Sequence, residues 1–336
     1  MHTTKNVIIA LYVDDMIILA KEMSDVQEIK DHLSREYNMK DLGEVRNVLG
    51  LRVQRDRSKR TLWIDQTHYI EETLRAFQLE NCKEVSTPAD GYDNLQAATT
   101  DKALFDDVHL YRRALGQLNW LVRGTRPDLA FVVHKLSQHC QSPSMKHWSG
   151  VKRVLRYLQH TKTMRLRYSV SNNSVCELFG YADADYAGDS ADRKSTMGYA
   201  YLLHGGAITW STRKQQSVAT STTEAEYMGL CNAAKEAVWL RNLLASLGFE
   251  EYAAQGTLIY GDNQGSLRLV ANPEMHARSK HIDVQYHYVR ELAEQGMIKV
   301  EYIPTAEMAA DCLTKPLKRQ LHERNMELLG LEKGVS

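Results

Sequence analysis

Paired cysteines are missing from this sequence. Its five (Cys82, Cys140, Cys176, Cys231 and Cys312) are scattered through 336 residues with no CxxC spacing. That excludes a disulfide framework and a zinc cluster, and suits a reduced, intracellular protein. A long apolar run is missing too. The longest, Val7 to Ala20, is broken by Asp14 and Asp15, so it cannot cross a bilayer. No basic start followed by an apolar stretch marks a signal peptide. Neither a P-loop nor a GxGxxG pattern is present, which removes the commonest phosphate-cradling loops. Net charge is also absent, since Lys+Arg and Asp+Glu both number 42. The total therefore argues neither for nor against a nucleic-acid partner.

The distribution of charge is more telling. Between Asp128 and Glu177 there is no acidic residue, while Lys135, Lys146, Lys152, Arg153, Arg156, Lys162, Arg165 and Arg167 all fall inside. Such a stretch suits a phosphate-facing surface, or a solvated helix face beside an acidic neighbour.

Two apolar runs, Val7–Val13 and Met16–Ala20, meet at Asp14-Asp15 and read as a buried hairpin. Ser24 with Gln27 predicts a capping-box start for a helix carrying Val26, Ile29, Leu33 and Tyr37. Gly43–Gln54 and Thr61–Ile64 read as strands, and Ile70, Leu74 and Phe77 mark a second helix. Residues 86–107 are polar and aperiodic, a linker pattern. Three helical patterns follow: Leu110–Val122, Pro127–Cys140 with proline at the first position, and Met145–Gln159. Arg165–Val170, Glu177–Ala182, Thr196–Leu203 and Ala207–Ser211 then read as an antiparallel meander. A long helix from Thr222 to Leu247 stops at Gly248. Next come strand Thr257–Tyr260, helices Asn263–Ala271 and Ile282–Glu294, strand Lys299–Ile303 and a helix near Met308–Leu313.

Four carboxylates fall where a mixed α/β sheet would gather them: Asp183 and Asp262 at strand ends, Glu224 in the first turn of the long helix, and Asp311 on the last helix. Strand ends and helix starts are where such sheets form ligand sites. Glu226, two positions beyond Glu224, is expected to point elsewhere. Clustered carboxylates repel and take up protons unless a cation joins them. Hard oxygen ligands select Mg²⁺ or Mn²⁺ over softer metals, and two such ions suit phosphodiester hydrolysis. Any one of these aspartates taken singly is more simply a turn former or a helix cap.

The segments GYADADYAGD, KSTMGYAYLLHGGAITWSTRKQ, STTEAEYMGL, YGDNQGSL, RSKHIDVQYHYVRE and ADCLTKPL, in that order over residues 178–317, resemble the RNase H domain of copia-type retrotransposon polyproteins. The resemblance implies an RNase H-like mixed five-stranded sheet with flanking helices. It also implies an Asp-Glu-Asp-Asp metal quartet on Asp183, Glu224, Asp262 and Asp311, two Mg²⁺ (or Mn²⁺) ions, and cleavage of the RNA strand of an RNA–DNA hybrid. Cellular relatives often carry a histidine before the last aspartate; here that loop reads Thr305-Ala-Glu-Met308. His281 and His287 suit substrate contact or helix packing better than metal ligation.

Tyr12-Val-Asp-Asp15 between its apolar runs resembles the palm hairpin of reverse transcriptases, where Asp14 and Asp15 would be metal-holding residues. DLGEVRNVLGLRV, LWIDQTHYIEETLRAF, STPAD, YRRALGQLNWLVRGTRPDLAFVVHKLSQ and VKRVLRYLQHT resemble the same polyprotein downstream of its palm. The implied organisation is a truncated palm end and thumb-like region over 1–88, a linker over 89–109, and a helical basic connection over 110–171. An RNase H-like domain over 172–317 and a tail helix over 318–336 complete it. Lys152, Arg153, Arg156, Lys280 and His281 are the expected nucleic-acid contacts. The reaction would run in a cytoplasmic particle or the nucleus, with a full-length Pol protein as a candidate associate and no membrane. Rival readings are a non-catalytic nucleic-acid-binding remnant, and a polymerase completed by palm and fingers from another chain.

Overall fold

The computed structural model describes residues 7–92, 95, 104–170, 178–271 and 283–334. The chain opens with a hairpin of β1 (Val7–Tyr12) and β2 (Asp15–Ala20), paired with each other alone. The sequence predicts this hairpin to be buried, but Leu11 and Leu19 are 67% and 51% exposed. Two strands without neighbours leave both edges and most side chains to solvent. Helix α1 (Met23–Glu36) follows, with Glu22 at its N-cap and no side-chain cap bond. The expected Ser24 capping box is therefore not the start of this helix.

Next come β3 (Asn47–Val48), β4 (Leu51–Asp56), β5 (Thr61–Asp65) and α2 (Thr67–Ala76). The single strand expected over 43–54 is split at Leu49-Gly50. Both residues have positive φ (49° and 74°), the conformation of a two-residue hairpin turn, and glycine at the second position makes it accessible. Helices α3 (Val108–Gly124), α4 (Ala130–Ser137) and α5 (Met145–His160) form the middle of the chain. Pro127 begins a short 3-10 turn ahead of α4, and Ser144 with His147 forms a capping box on α5. The polar stretch before α3 is not free of the core. Ala89 and Leu95 are buried in it, and the Tyr92 hydroxyl donates to Asp185.

Strand β6 (Met164–Ser169) does not open the meander, as its sequence position suggests. It pairs antiparallel with β5, and its other neighbour is β12 (Leu331–Lys333), near the end of the sequence. Cross-strand contacts select this partner. The Arg165 guanidinium lies 4.4 Å above the Trp63 ring and donates to Glu332 at 2.7 Å, while Trp63 donates to Glu332 at 2.8 Å. Alternating polarity marks a strand; these pairings decide which sheet receives it.

The other five-stranded sheet runs β11-β10-β7-β8-β9. Its members are β7 (Phe179–Asp185), β8 (Thr196–Leu203), β9 (Gly206–Lys214), β10 (Thr257–Gly261) and β11 (Ile298–Tyr302). Strands β7, β8 and β9 are antiparallel in succession, whereas β10 pairs parallel with both β7 and β11. This is the expected mixed sheet. Ala200 and Leu202 face the core shared with α3, α4 and α5, while Tyr199 and Tyr201 face α6 (Thr222–Ser246). Burial on both sides explains why its central strands read as apolar almost throughout. Helices α7 (Gln264–Ala271) and α8 (Asp283–Glu294) flank the α6 side. A 3-10 turn over Ala309–Leu313 and helix α9 (Arg319–Leu328) close the other.

Candidate metal centre

The parallel pairing of β7 with β10 sets Tyr181 opposite Tyr260. Two residues further along each strand stand Asp183 and Asp262, so one register places both carboxylates at the same C-terminal edge. Strand β7 is also where the sheet switches from an antiparallel to a parallel neighbour, the position at which open α/β sheets form crevices. The 3-10 turn over Ala309–Leu313 brings the third carboxylate. It sits hard against β8, because a Cβ on Gly198 would lie 2.8 Å from Leu313 Cβ and 3.0 Å from Thr314 Cγ2. Thr212 anchors the turn by donating to the Leu313 carbonyl at 2.8 Å.

Carboxylate oxygens of Asp183, Asp262 and Asp311 lie within 4.8 Å of one another. Among the described residues they are the group of three acidic or imidazole side chains close enough to share a metal ion. Asp183 and Asp311 are buried, at 1% and 0% exposure. The Thr314 hydroxyl donates to Asp183, and Thr305 donates to Asp262 Oδ2 at 2.7 Å. Lys315 Nζ lies 2.7 Å from Asp311 Oδ1 and 3.7 Å from Asp183 Oδ2. Asp311 Oδ2 is buried and receives no hydrogen bond among the described residues. A buried anionic oxygen without a donor is costly; hard-oxygen ligation of a divalent ion is what such an atom suits.

The electrostatics follow from this crowding. Burial, then the neighbouring Asp183, pushes the Asp311 carboxyl up to about 7, against the pull of Lys315. Burial raises Asp183 as well, with Asp262 and Asp185 adding to it and Lys315 and Thr314 opposing. Burial alone would lower Lys315, but Asp183 and Asp311 hold its ammonium above the ordinary lysine range.

The structure does not bring Glu224 into this cluster. Its Oε2 accepts from the Thr220 backbone N–H at 2.9 Å and from the Thr220 hydroxyl, so it serves the entry to α6. Glu226 is close enough to Asp183 and Asp262 to feel their charge, although it too stands outside the group of three within 4.8 Å. Burial, then Asp183 and Asp262, pushes its carboxyl up to about 10, against the pull of Lys315 and the Ala184 backbone amide. The expectation that Glu226 points elsewhere is thus reversed. Residues two apart on a helix lie on nearly opposite faces, so only one of the two can address β7. The signal was in the sequence: Glu226 is in phase with Gly229, Ala233 and Ala237. These small residues let α6 approach the sheet, and a Cβ on Gly229 would lie 3.2 Å from the Asp183 carbonyl.

The other predicted site residues lie apart. Asp14 and Asp15 are exposed at the tip of the β1–β2 hairpin, where Val13 has φ 51°. Lys152 is exposed on α5. Arg153 donates to Thr87 Oγ1 at 3.0 Å and Arg156 to the Lys83 carbonyl at 2.6 Å, tying α5 to residues 83–90. Lys135, in the same basic stretch, is buried 3.2 Å from Asp189. Lys280 and His281 lie outside the described residues. No described helix is long and apolar enough to cross a membrane.

Residues 1–90 match the family model described as reverse transcriptase (RNA-dependent DNA polymerase). The chain is 39% identical over 329 residues to the retrovirus-related Pol polyprotein from transposon TNT 1-94 of Nicotiana tabacum, covering 97% of this chain and 24% of that one. It is 35% identical to the Pol polyprotein from transposon RE2 of Arabidopsis thaliana, over 96% of this chain and 22% of that one. The putative transposon Ty5-1 protein of Saccharomyces cerevisiae is 33% identical, over 66% of this chain and 70% of its own length. The chain thus spans about a quarter of the two longer polyproteins. Among solved structures, it is similar to a foamy viral protease-reverse transcriptase in complex with double-stranded DNA (TM-score 0.48, 14% identity, 88% of this chain and 46% of that one). It is also similar to an RNase H domain from Mycobacterium tuberculosis (TM-score 0.32, 16% identity, 46% and 98%). At these scores the structural likenesses carry no argument of their own. The relatives in sequence do, and the chain belongs to the copia-type retrotransposon Pol polyprotein family.

Proposed function

We propose that residues 178–317 are an RNase H-type endoribonuclease that cuts the RNA strand of an RNA–DNA hybrid. The observation that carries this reading is the convergence of Asp183, Asp262 and Asp311 within 4.8 Å at the parallel edge of β7 and β10. The donor set is all carboxylate, which fits Mg²⁺ or Mn²⁺, and the donorless Asp311 oxygen fits an ion better than a proton-free void. Asp183, Asp262, Asp311 and Glu226 would hold the ions, with Glu226 in place of Glu224. When bound, a pair of divalent ions supplies an activated water and compensates the phosphate charge.

The protein's own part is to hold these carboxylates in fixed rotations. Thr314 fixes Asp183, Thr305 fixes Asp262, and the Gly198 approach fixes the turn carrying Asp311. Burial of Asp183 and Asp311 keeps water from screening them, which strengthens their hold on a cation. Lys152, exposed on α5, would meet hybrid phosphate. Arg153 and Arg156 would steady the α5 surface through their bonds to residues 83–90. RNA would be distinguished from DNA through the 2′-hydroxyl in the minor groove.

The test is cleavage of an end-labelled RNA–DNA hybrid by the purified chain. Single-stranded RNA, duplex DNA, an EDTA control and Asp262→Asn run beside it. Metal-dependent cutting of the hybrid's RNA, abolished in the variant, is the expected result. A folded chain that binds hybrid in a salt-sensitive manner but never cuts it is a binding module, and the nuclease reading fails.

A further inference from the structure

We infer that Lys315 is a tethered counter-cation that competes with divalent ions for the carboxylate cluster. This rests on the reading of Asp183, Asp262 and Asp311 as metal ligands.

The geometry is that of a bridging occupant. A single ammonium lies 2.7 Å from Asp311 and 3.7 Å from Asp183, so it spans two of the three carboxylates. Its partners are at most 1% exposed, yet the Lys315 side chain keeps 30% of its surface exposed. The Lys315 side chain thus borders solvent while the carboxylates it meets do not. One five-residue segment supplies a carboxylate at Asp311, a hydroxyl donor at Thr314 and the cation at Lys315. Whatever orients the turn orients all three together.

Lysine suits an exchangeable role. Its ammonium is a compact charge on a flexible four-carbon stem, unlike the planar fork of arginine, which locks onto carboxylates through two bonds. An ammonium 2.7 Å from Asp311 Oδ1 and a divalent ion bound to Oδ2 of the same carboxylate would repel one another. Entry of the ion thus drives the side chain outward. While the ammonium is in place, the carboxylates are held close together without an ion, so the ligand positions are set before metal arrives. The cost is a weaker hold on metal, because each ion meets a bound like charge. The exchange also runs in reverse: when an ion departs, the ammonium returns and the carboxylates are not left facing one another.

The test is calorimetric titration of MgCl₂ into the full chain without nucleic acid, for the wild type, Lys315→Met and Lys315→Arg. Thermal unfolding in EDTA runs in parallel. Lys315→Met is expected to bind Mg²⁺ roughly tenfold or more tightly than wild type, since the competing charge is gone. It should also melt lower in EDTA and gain more from added Mg²⁺. Lys315→Arg keeps the charge and is expected to bind no more tightly than wild type. Should the methionine disturb the turn, Lys315→Gln serves the same comparison. A cooperatively folded Lys315→Met that binds Mg²⁺ no better than a binding wild type overturns the inference alone. Absence of Mg²⁺ binding in every form overturns the metal-ligand reading beneath it.

Discussion

Asp128→Asn is expected to remove a large share of this protein's stability, although Asp128 lies outside the carboxylate cluster. Arg126 and Asp128 are buried, at 0% and 1% exposure, and are joined by two bonds, Nε to Oδ1 at 2.9 Å and Nη2 to Oδ2 at 2.7 Å. The Tyr157 hydroxyl donates to the same Oδ2 at 2.8 Å, and Arg126 also donates to the Thr161 hydroxyl at 2.8 Å. Tyr157 in turn meets His322 Nε2 at 2.9 Å, so the network joins α5 to α9 through the turn before α4. Burial works against the Asp128 carboxylate, but the Arg126 guanidinium holds it below the usual range. An asparagine keeps the shape and loses the charge, leaving a guanidinium buried without a counter-ion. Breaking a buried pair in this way costs about 3–5 kcal/mol, against a total of about 5–15 kcal/mol for a typical folded chain. The double variant Arg126→Met/Asp128→Leu removes both charges and is expected to recover most of that loss. Urea unfolding followed by tryptophan fluorescence reads both. An Asp128→Asn protein within about 0.5 kcal/mol of wild type, or a double variant as damaged as the single one, would refute the reasoning.

Two further outcomes follow from the cluster. Asp311 rises from 3.8 to about 7 on folding, and Glu226 from 4.5 to about 10. The folded protein thus binds protons more tightly than the unfolded chain, and stability falls as pH rises. For Asp311 the contribution is full below about pH 4 and is lost as pH rises through about 7; for Glu226 the loss continues to about 10. Metal requires the deprotonated carboxylates, so the Mg²⁺-induced rise in Tm should be larger at about pH 8 than at about pH 6. A rise that is equal or smaller at the higher pH contradicts the assignment. Gly198→Ala places a methyl 2.8 Å from Leu313 Cβ and should push the Asp311 turn off β8, costing about 1–3 kcal/mol and weakening Mg²⁺ binding. Unchanged melting and metal titration would show that the turn is not held by this approach.

How much was legible in advance depended on how local the information is. Asp183, Asp262 and Asp311 each sit at a junction that a few neighbouring residues define, in GYADAD, YGDNQG and ADCLTK, and these three are the ones the structure brings together. The helix carboxylate is harder to read, because choosing between Glu224 and Glu226 requires the phase of α6 against β7. That phase is written in Gly229, Ala233 and Ala237, well beyond the motif itself. Strand β6 carried the right alternation, but its partner is chosen by Trp63 and Glu332, residues far away in the chain. The same distance hides β12, whose three residues complete a sheet begun at β3. The basic stretch between Asp128 and Glu177 is partly structural, with Lys135, Arg153, Arg156 and Arg165 engaged by protein partners. Composition records the charge of such residues but not what they face.

The measurement closest to the central claim is single-turnover cleavage of an end-labelled RNA–DNA hybrid in Mg²⁺ by wild type, Glu226→Gln and Glu224→Gln. The account predicts that wild type cuts the RNA strand, that Glu226→Gln binds hybrid but does not cut, and that Glu224→Gln still cuts while melting at a lower temperature. Cutting that survives in Glu226→Gln and disappears in a folded Glu224→Gln would contradict it.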